Sequence, residues 1–395
     1  MASTSTGEPL LAVRRPPRPF YLRRRFLRSF GPVASLAIIG FVALLVSGTL
    51  ALPAQRLVTV KAKMGSKADY FLDAEVRDLL LRHHLKVEVS HVGSREAATS
   101  DYAGYDFLFP SGQATAGLTT ANMDFKNSFK PFISPLVLAT YREYALALVE
   151  AQVATEHPGS SGYYYELDMA KFVALTRNAA TWNSLKIGKH GITNGNVVLA
   201  QTSEVCTSYG SGAYLALLSQ VVNKRNPTTI AEAREFAAKV KDLYRSQGLE
   251  SSAPTENYFV GEGRGIAPIM VMYEHQYLRW QTSHVEKGLG LDSSRVLLYP
   301  NLSVYTKPEL ITLTDDGDRL GHLIAERPEF KRRAMELGFR VLDGKGAYSS
   351  ERLSEFLAEK NIPDPTTRRD ETEARPMDAG LQEEMVTIVG DCAPA

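Results

Sequence analysis

The amino-acid order predicts an α/β body of two lobes behind an N-terminal membrane-crossing helix. Three observations carry this. Short apolar, β-rich runs alternate with stretches of helical periodicity through most of the 395 residues, which is the signature of an α/β chain. One such block gives way to a second and the chain then returns to the first, so two lobes are joined by crossing strands near 134–140 and 296–304. Ahead of both, Phe30 to Leu52 runs for 23 residues without a charge.

That run is long enough to cross a bilayer, which takes about 20 apolar residues, and longer than the roughly 7–15 of a signal-peptide core. Residues 1–52 hold seven Arg against the single acid Glu8, a net +6. This cluster holds residues 1–29 in the cytoplasm as a basic, disordered tail and sends everything after Leu52 outward. Thr49 and Ala51 sit at −3 and −1 of a small-residue cleavage site; the length of the run favours a retained anchor. The rest of the chain has 38 bases against 43 acids, a net −5, which leaves no basic footprint for nucleic acid. With 44% hydrophobic and 23% charged residues, the exported part has the balance of an ordinary globular protein.

The elements follow in order. Leu57–Ala62 and Lys86–His91 alternate as strands do, with a helix expected over Asp69–His83 between them. Tyr105–Phe109 is a short strand stopped by Pro110, and Ser134–Thr140 is an apolar run able to cross between lobes. In the second block a helix is expected over Tyr165–Asn178, a buried strand over Asn196–Ala200 and a helix over Gly212–Asn223. Thr229–Gly248 has the clearest helical stripe, opened by a Thr229/Glu232 capping box. Ala267–Tyr273 and Arg295–Tyr299 are strands, and helices follow near Asp318–Ala325, Glu329–Leu337 and Ser349–Lys360. Lobe 1 thus takes 55–140 and 296–362, lobe 2 takes 141–295, and 363–395 is a linker and tail whose Leu381–Val389 forms one last element.

Cys206 and Cys392 are the only cysteines. In an oxidising exterior they either form one disulfide or stay as two thiols, and a tail in need of fastening favours the bond. Two such distant cysteines make no zinc site. No nucleophile elbow, phosphate-binding loop or acid/base pair is present, which argues against catalysis and implies no cofactor. What recurs is a turn rich in small and hydroxyl residues after a β-run: Gly65-Ser66-Lys67, Pro110-Ser111-Gly112 and Thr207-Ser208-Tyr209-Gly210-Ser211. Such turns aim N–H groups and hydroxyls into a cleft, where they hold a polar or anionic small molecule. Each taken singly also reads as a plain helix cap.

Several of these residues carry a resemblance. Met64-Gly65-Ser66-Lys67 with Tyr70-Phe71, Gly93-Ser94-Arg95-Glu96, Tyr105–Pro110, Thr207-Ser208 with Ala213–Leu217, and Tyr273–Leu278 are similar to segments of bacterial extracellular solute-binding proteins with the type II periplasmic-binding fold. The resemblance spans about residues 57–342. It implies two lobes that close by hinge bending on a solute, which is delivered to a membrane transporter or reported to a sensor. Carried over by position, Ser66, Ser111, Thr207 and Ser208 would hydrogen-bond the ligand, Lys67 or Arg95 would neutralise negative charge, Tyr273 would stack or cap, and Glu274 would suit a cationic or hydroxylated ligand. Each of these contacts would equally serve as a hinge or capping contact. Two departures stand out: no cysteine follows the apolar run to take a lipid, and Tyr209-Gly210 replaces a small polar residue of relatives. A membrane-anchored solute binder is therefore expected, with a non-catalytic envelope scaffold of the same fold as the alternative.

Overall fold

The computed structural model describes residues 36, 37, 40, 57–65, 67–93, 101–121, 123–250, 258, 259, 263–342, 351–365 and 374–393. Val58–Ala395 forms one unit, apart from Met1–Leu57. Among the described residues no helix is long and apolar enough to cross a membrane; all but three residues of the expected span Phe30–Leu52 lie outside them.

The chain enters its body through β1 (Val58–Met64), whose alternate residues Val60, Ala62 and Met64 are fully buried, as a half-buried strand requires. The single helix expected next is two: α1 (Ala68–Leu72) and α2 (Ala74–Arg82). Asp73 breaks them with an extended backbone and caps α2, accepting from the Val76 N–H at 3.2 Å. Its carboxylate is also gripped by Arg333 through two 2.8 Å bonds, so tertiary pairing rewards the break. β2 (Leu85–His91), β3 (Phe107–Phe109), α3 (Gln113–Ala121), β4 (Asn127–Phe129) and the ten-residue, wholly buried β5 (Phe132–Tyr141) follow.

The second block holds α4 (Arg142–Glu150), β6 (Ala154–Glu156), β7 (Tyr164–Leu167), α5 (Met169–Arg177), β8 (Thr202–Ser203), α6 (Tyr209–Asn223), α7 (Ile230–Arg245), β9 (Leu249–Glu250), α8 (Gly263–Ile266), β10 (Ile269–Tyr273) and α9 (Glu274–Glu286). Two expectations change here. The front of the helix expected from Tyr165 is strand β7, a Tyr-Tyr-Glu-Leu run paired with two neighbours, and the helix starts only after Asp168 caps it by accepting from the Lys171 N–H at 3.0 Å. Asn196–Ala200 makes only an isolated antiparallel bridge, Val197 to Thr181, with Val198 and Ala200 buried; Val198 N–H donates to Ala180 O within that bridge, and Ala200 N–H donates to the Gln247 side chain. At α7, Thr229 does cap by accepting from the Glu232 N–H, but the Glu232 carboxylate accepts from the Thr228 N–H and Arg225 rather than closing a reciprocal box.

β11 (Arg295–Pro300), β12 (Tyr305–Thr306) and β13 (Leu310–Thr312) lead back, followed by α10 (Asp315–Glu326), α11 (Pro328–Glu336), β14 (Arg340–Val341), α12 (Glu351–Glu359) and α13 (Ala379–Gly390). Besides a short β8-β9 pair there are two larger sheets, one in the order β2-β1-β3-β13-β4 and the other in the order β10-β5-β11-β7-β6. β5 ties the two regions: its far half pairs antiparallel with β10 and β11, and its first residues pair with the returning β12 and β14. Each sheet has its own core, one around Phe71, Phe107, Phe109 and Phe339, the other around Tyr144, Trp182, Tyr214 and Leu298. Leu353, Leu357 and Ile362, grouped with lobe 1 by sequence, pack in the second core. The tail helix α13 lies against α7, α6 and α3, and Cys392 just after it is bonded to Cys206, with Cα atoms 5.6 Å apart.

Candidate functional site

Between the two sheets lies a cavity of about 600 Å³. Gly65, Asp69, His91 and Gly93 reach it from the ends of β1 and β2 and the start of α1; Thr202, Ser203 and 207–211, with Tyr273, His275, Gln276, Arg279, Trp280 and Ser283, reach it from the second block. Its two sides touch at the edge. A Cβ on Gly93 would stand 2.5 Å from the Thr207 carbonyl oxygen, and one on Gly112 would overlap the Tyr209 ring, so both close approaches depend on glycine. Tyr209 also donates its hydroxyl to Gln113 Oε1 at 3.3 Å, and burial pushes its phenol up to about 12.

The turn after β8 supplies the most polar wall. Glu204 organises it: its carboxylate accepts from the Cys206 N–H at 3.0 Å and its carbonyl from the Thr207 hydroxyl at 3.2 Å. The disulfide anchors the same turn to α13. Ser208 then starts α6 without capping it by side chain, which leaves the first-turn N–H groups and the positive end of a 15-residue helix facing the cavity. Gly210 keeps that turn bare; the Tyr273 hydroxyl lies 3.3 Å from where its Cβ would be.

The opposite wall is aromatic. His275 stacks on Phe339 with centroids 4.0 Å apart and on Tyr273 at 5.7 Å. Phe259 and Trp280 stack at 4.7 Å on another side. Gln276 accepts from the Tyr273 N–H at 3.0 Å and so fixes the head of α9. The His275 Nδ1 sits 3.0 Å from Ser134 Oγ, while its buried Nε2 has no hydrogen-bond partner among the described residues. Burial, then the charges of Lys67 and Arg279, hold the imidazole well below its usual range, so it is neutral.

The residues expected at the site fall into three groups. Thr207, Ser208 and Tyr273 line the cavity. Ser66 and Arg95 lie outside the described residues. Lys67, Ser111 and Glu274 are buried and do not line it. Both Glu274 oxygens are engaged in the interior: Arg340 donates to them at 2.7 and 2.6 Å and Tyr299 donates at 2.7 Å. The Lys67 ammonium rests 3.7 Å over the Tyr273 ring and has no hydrogen-bond partner among the described residues; desolvation brings it down to about 7. Sequence reading missed His275, Gln276, Arg279 and Trp280. The spacing of 276, 279, 280 and 283 along one face of α9 was the available signal.

No family model matches the chain, and no curated protein matches it in sequence. In fold it is similar to solved solute-binding proteins. Iron-bound HitA from Pseudomonas aeruginosa aligns with TM-score 0.49 and 14% identity over 85% of this chain and 99% of that one. The sulfate-binding protein SubI from Mycobacterium tuberculosis H37Rv aligns with TM-score 0.44 and 9% identity over 82% and 96%. The substrate-binding protein of an ABC transporter from Agrobacterium tumefaciens aligns with TM-score 0.46 and 9% identity over 84% and 95%.

Proposed function

We propose that this chain is a membrane-anchored extracytoplasmic solute-binding protein that captures a polar small molecule in its interlobe cleft for transport or sensing. The observation that carries this reading is the cavity itself: about 600 Å³, lined from both sheets, with a helix N-terminus and Thr207, Ser208 and Tyr273 in its wall. Clefts of this size between lobes, mostly apolar with a few converging polar groups, are what small-molecule sites look like. The basic segment 1–29 would stay in the cytoplasm, Phe30–Leu52 would span the membrane, and a transporter or sensor in the same membrane would receive the liganded form. The work is binding and closure, without covalent chemistry or a cofactor.

Thermal unfolding of the full-length chain against sugars, amino acids, carboxylates and inorganic oxyanions tests the binding. One ligand class should raise Tm with concentration, by an amount that follows RT ln(1 + [L]/Kd), about 2.7 kcal/mol at a hundredfold excess over Kd. Thr207→Val should weaken the response. A folded, ligand-free sample that responds to nothing would count against solute binding and favour the scaffold alternative. Carbonate extraction of membranes and protease accessibility of a C-terminal tag on intact cells test the anchor and its orientation.

A further inference from the structure

We infer that the segment 374–392 is a latched strap: it fastens α3, which follows β3 of the first sheet, to α6 and α7 of the second block, and the Cys206–Cys392 bond is a latch that a dithiol opens. Such a strap acts whether or not the cleft holds a solute, so it is independent of the binding reading. The segment is held at both ends and in the middle. At its start the Ala374 N–H donates to Ser303 O at 2.7 Å, and the Asn226 side chain, between α6 and α7, donates to Arg375 O at 2.7 Å. Then α13 touches two helices at once: Ala379 faces Gly117 of α3, while Gln382 and Val386 face Gly212 of α6. At its far end Asp391 pairs with Lys241 at 2.5 Å and Arg245 at 3.1 Å, and Cys392 is bonded to Cys206.

The two grips are unequal. Toward the second block α13 buries Met385, Val386 and Val389 and carries the disulfide. The exposed ion pairs add little, so the covalent bond is what keeps that end from fraying. Toward α3 the seat is Gly117 against Ala379, and a gap of about 20 Å³ lined by Ala114, Leu118, Gly212, Ala379 and Val386 stays open where the three helices meet. An incompletely filled joint forfeits dispersion contacts, and it is the part of the strap that separates. The same two helices meet again at the rim of the large cavity, where Tyr209 covers Gly112 and donates to Gln113. Gly117 lies one turn further along α3 from Gln113. Strap and rim thus hold one pair of helices at two places, and a released strap leaves the rim contact to hold them by itself.

The latch is reachable. Cys206 and Cys392 are each partly exposed, and Cys392 stands between exposed Asp391 and Ala393. Thiol–disulfide exchange needs access to one sulfur and a thiolate to attack it. A thiolate of the dithiol attacks Cys392 Sγ; the bond to Cys206 breaks as the mixed disulfide forms, and Cys206 leaves as a thiolate that takes a proton. The second thiolate of the dithiol then displaces Cys392, which is protonated in turn. The dithiol ends as a disulfide, and two electrons and two protons have passed to the cysteine pair. Cys206 immediately precedes Thr207 and Ser208 of the cleft wall, so the release acts on strap and wall together.

Hydrogen exchange of the full-length chain, read by mass spectrometry before and after dithiothreitol, is the test. Millimolar dithiothreitol without denaturant should open the bond, shown by thiol alkylation, and leave the circular dichroism unchanged. Exchange should then rise about tenfold or more in α13, in the 204–208 turn and in α3, and stay as it was in β5, β10 and β11. Reoxidation should restore all three. Gly117→Leu keeps the bond but wedges α13 away from α3, so it should speed exchange in α3 and leave the 204–208 turn unchanged. A bond that resists dithiothreitol until the chain is denatured would overturn the latch. Loosening confined to α13 and the 204–208 turn would overturn the strap, as would Gly117→Leu exchanging like the parent. Exchange that rises throughout the chain on reduction would show a staple of the whole fold in place of a latch. Silence toward every solute probe would leave each of these outcomes as it stands.

Discussion

Lys67 and Glu274 both stand next to strand ends, and both carry a charge into the interior. Glu274 is matched there by a bidentate Arg340 and a tyrosine hydroxyl; among the described residues Lys67 is matched by ring faces alone. Removing one partner of a buried pair strands the other charge, so Glu274→Ala should lose about 3–5 kcal/mol in urea unfolding, while replacing Glu274 and Arg340 together with leucines should lose much less. Lys67 has the opposite expectation. Unfolded, its ammonium titrates at its ordinary 10.5; folded, it titrates at about 7. Between those values the unfolded chain binds more protons, so the Lys67 contribution makes stability climb as pH rises from about 7 to 10.5 and stay level below 7. Lys67→Met should abolish that part of the slope and gain at least about 1 kcal/mol at pH 7, since every tenfold loss of proton affinity on folding costs about 1.4 kcal/mol. Paired unfolding curves at pH 7 and 10 check the sign.

At the scale of elements, the tail helix α13 and the turn before α6 behave as one device. α13 buries Met385, Val386 and Val389, pairs Glu384 with Arg234 and Asp391 with Lys241, and is closed by the Cys206–Cys392 bond across 186 positions. Cys206 immediately precedes Thr207 and Ser208, so the bond that fastens the tail also positions the cleft wall. Cys392→Ser should lower stability by about 2–4 kcal/mol and raise hydrogen exchange in both Ala379–Gly390 and the 204–208 turn; exchange confined to the tail would separate the two. Asp73 teaches a related lesson. The 69–83 pattern reads as one helix because Asp costs a helix interior little, and only Arg333, 260 positions away, shows why the chain prefers a cap there.

For the whole molecule, distant segments meet across the cavity where glycine allows it. Gly93 lies against the Thr207 carbonyl and Gly112 against the Tyr209 ring, so a side chain at either position would penalise this arrangement, which is the closed one if the proposed solute capture works by hinge closure. Gly93→Leu should therefore keep the unliganded Tm close to that of the parent while weakening ligand binding tenfold or more and abolishing ligand-induced compaction in small-angle scattering. Equal compaction in parent and variant would show that closure does not bring Gly93 against Thr207. β5 ties the molecule together, since its two ends pair with strands of different parts of the chain.

The alternation of β1 and β2, the apolar run of β5, the stripe of α7 and the glycine- and hydroxyl-rich turns were legible because they are local: burial on one face writes a period of 2 or 3.6 directly into the residues. The α/β class and the place of the wall Thr207–Ser208 follow from them. Other properties depend on residues far apart in sequence. Nothing local distinguishes Glu274, locked to Arg340, from a free ligand contact, or marks His275 as the partner of Phe339. Tyr164–Leu167 has enough helical pattern to mislead until β11 lies beside it. Lys67 was legible as a charge near the cleft; that it is buried against Tyr273 was decided only when α1 and the head of α9 came together. Patterning records how each segment meets solvent, whereas the charge balance of the cleft depends on which distant groups share the same dry space.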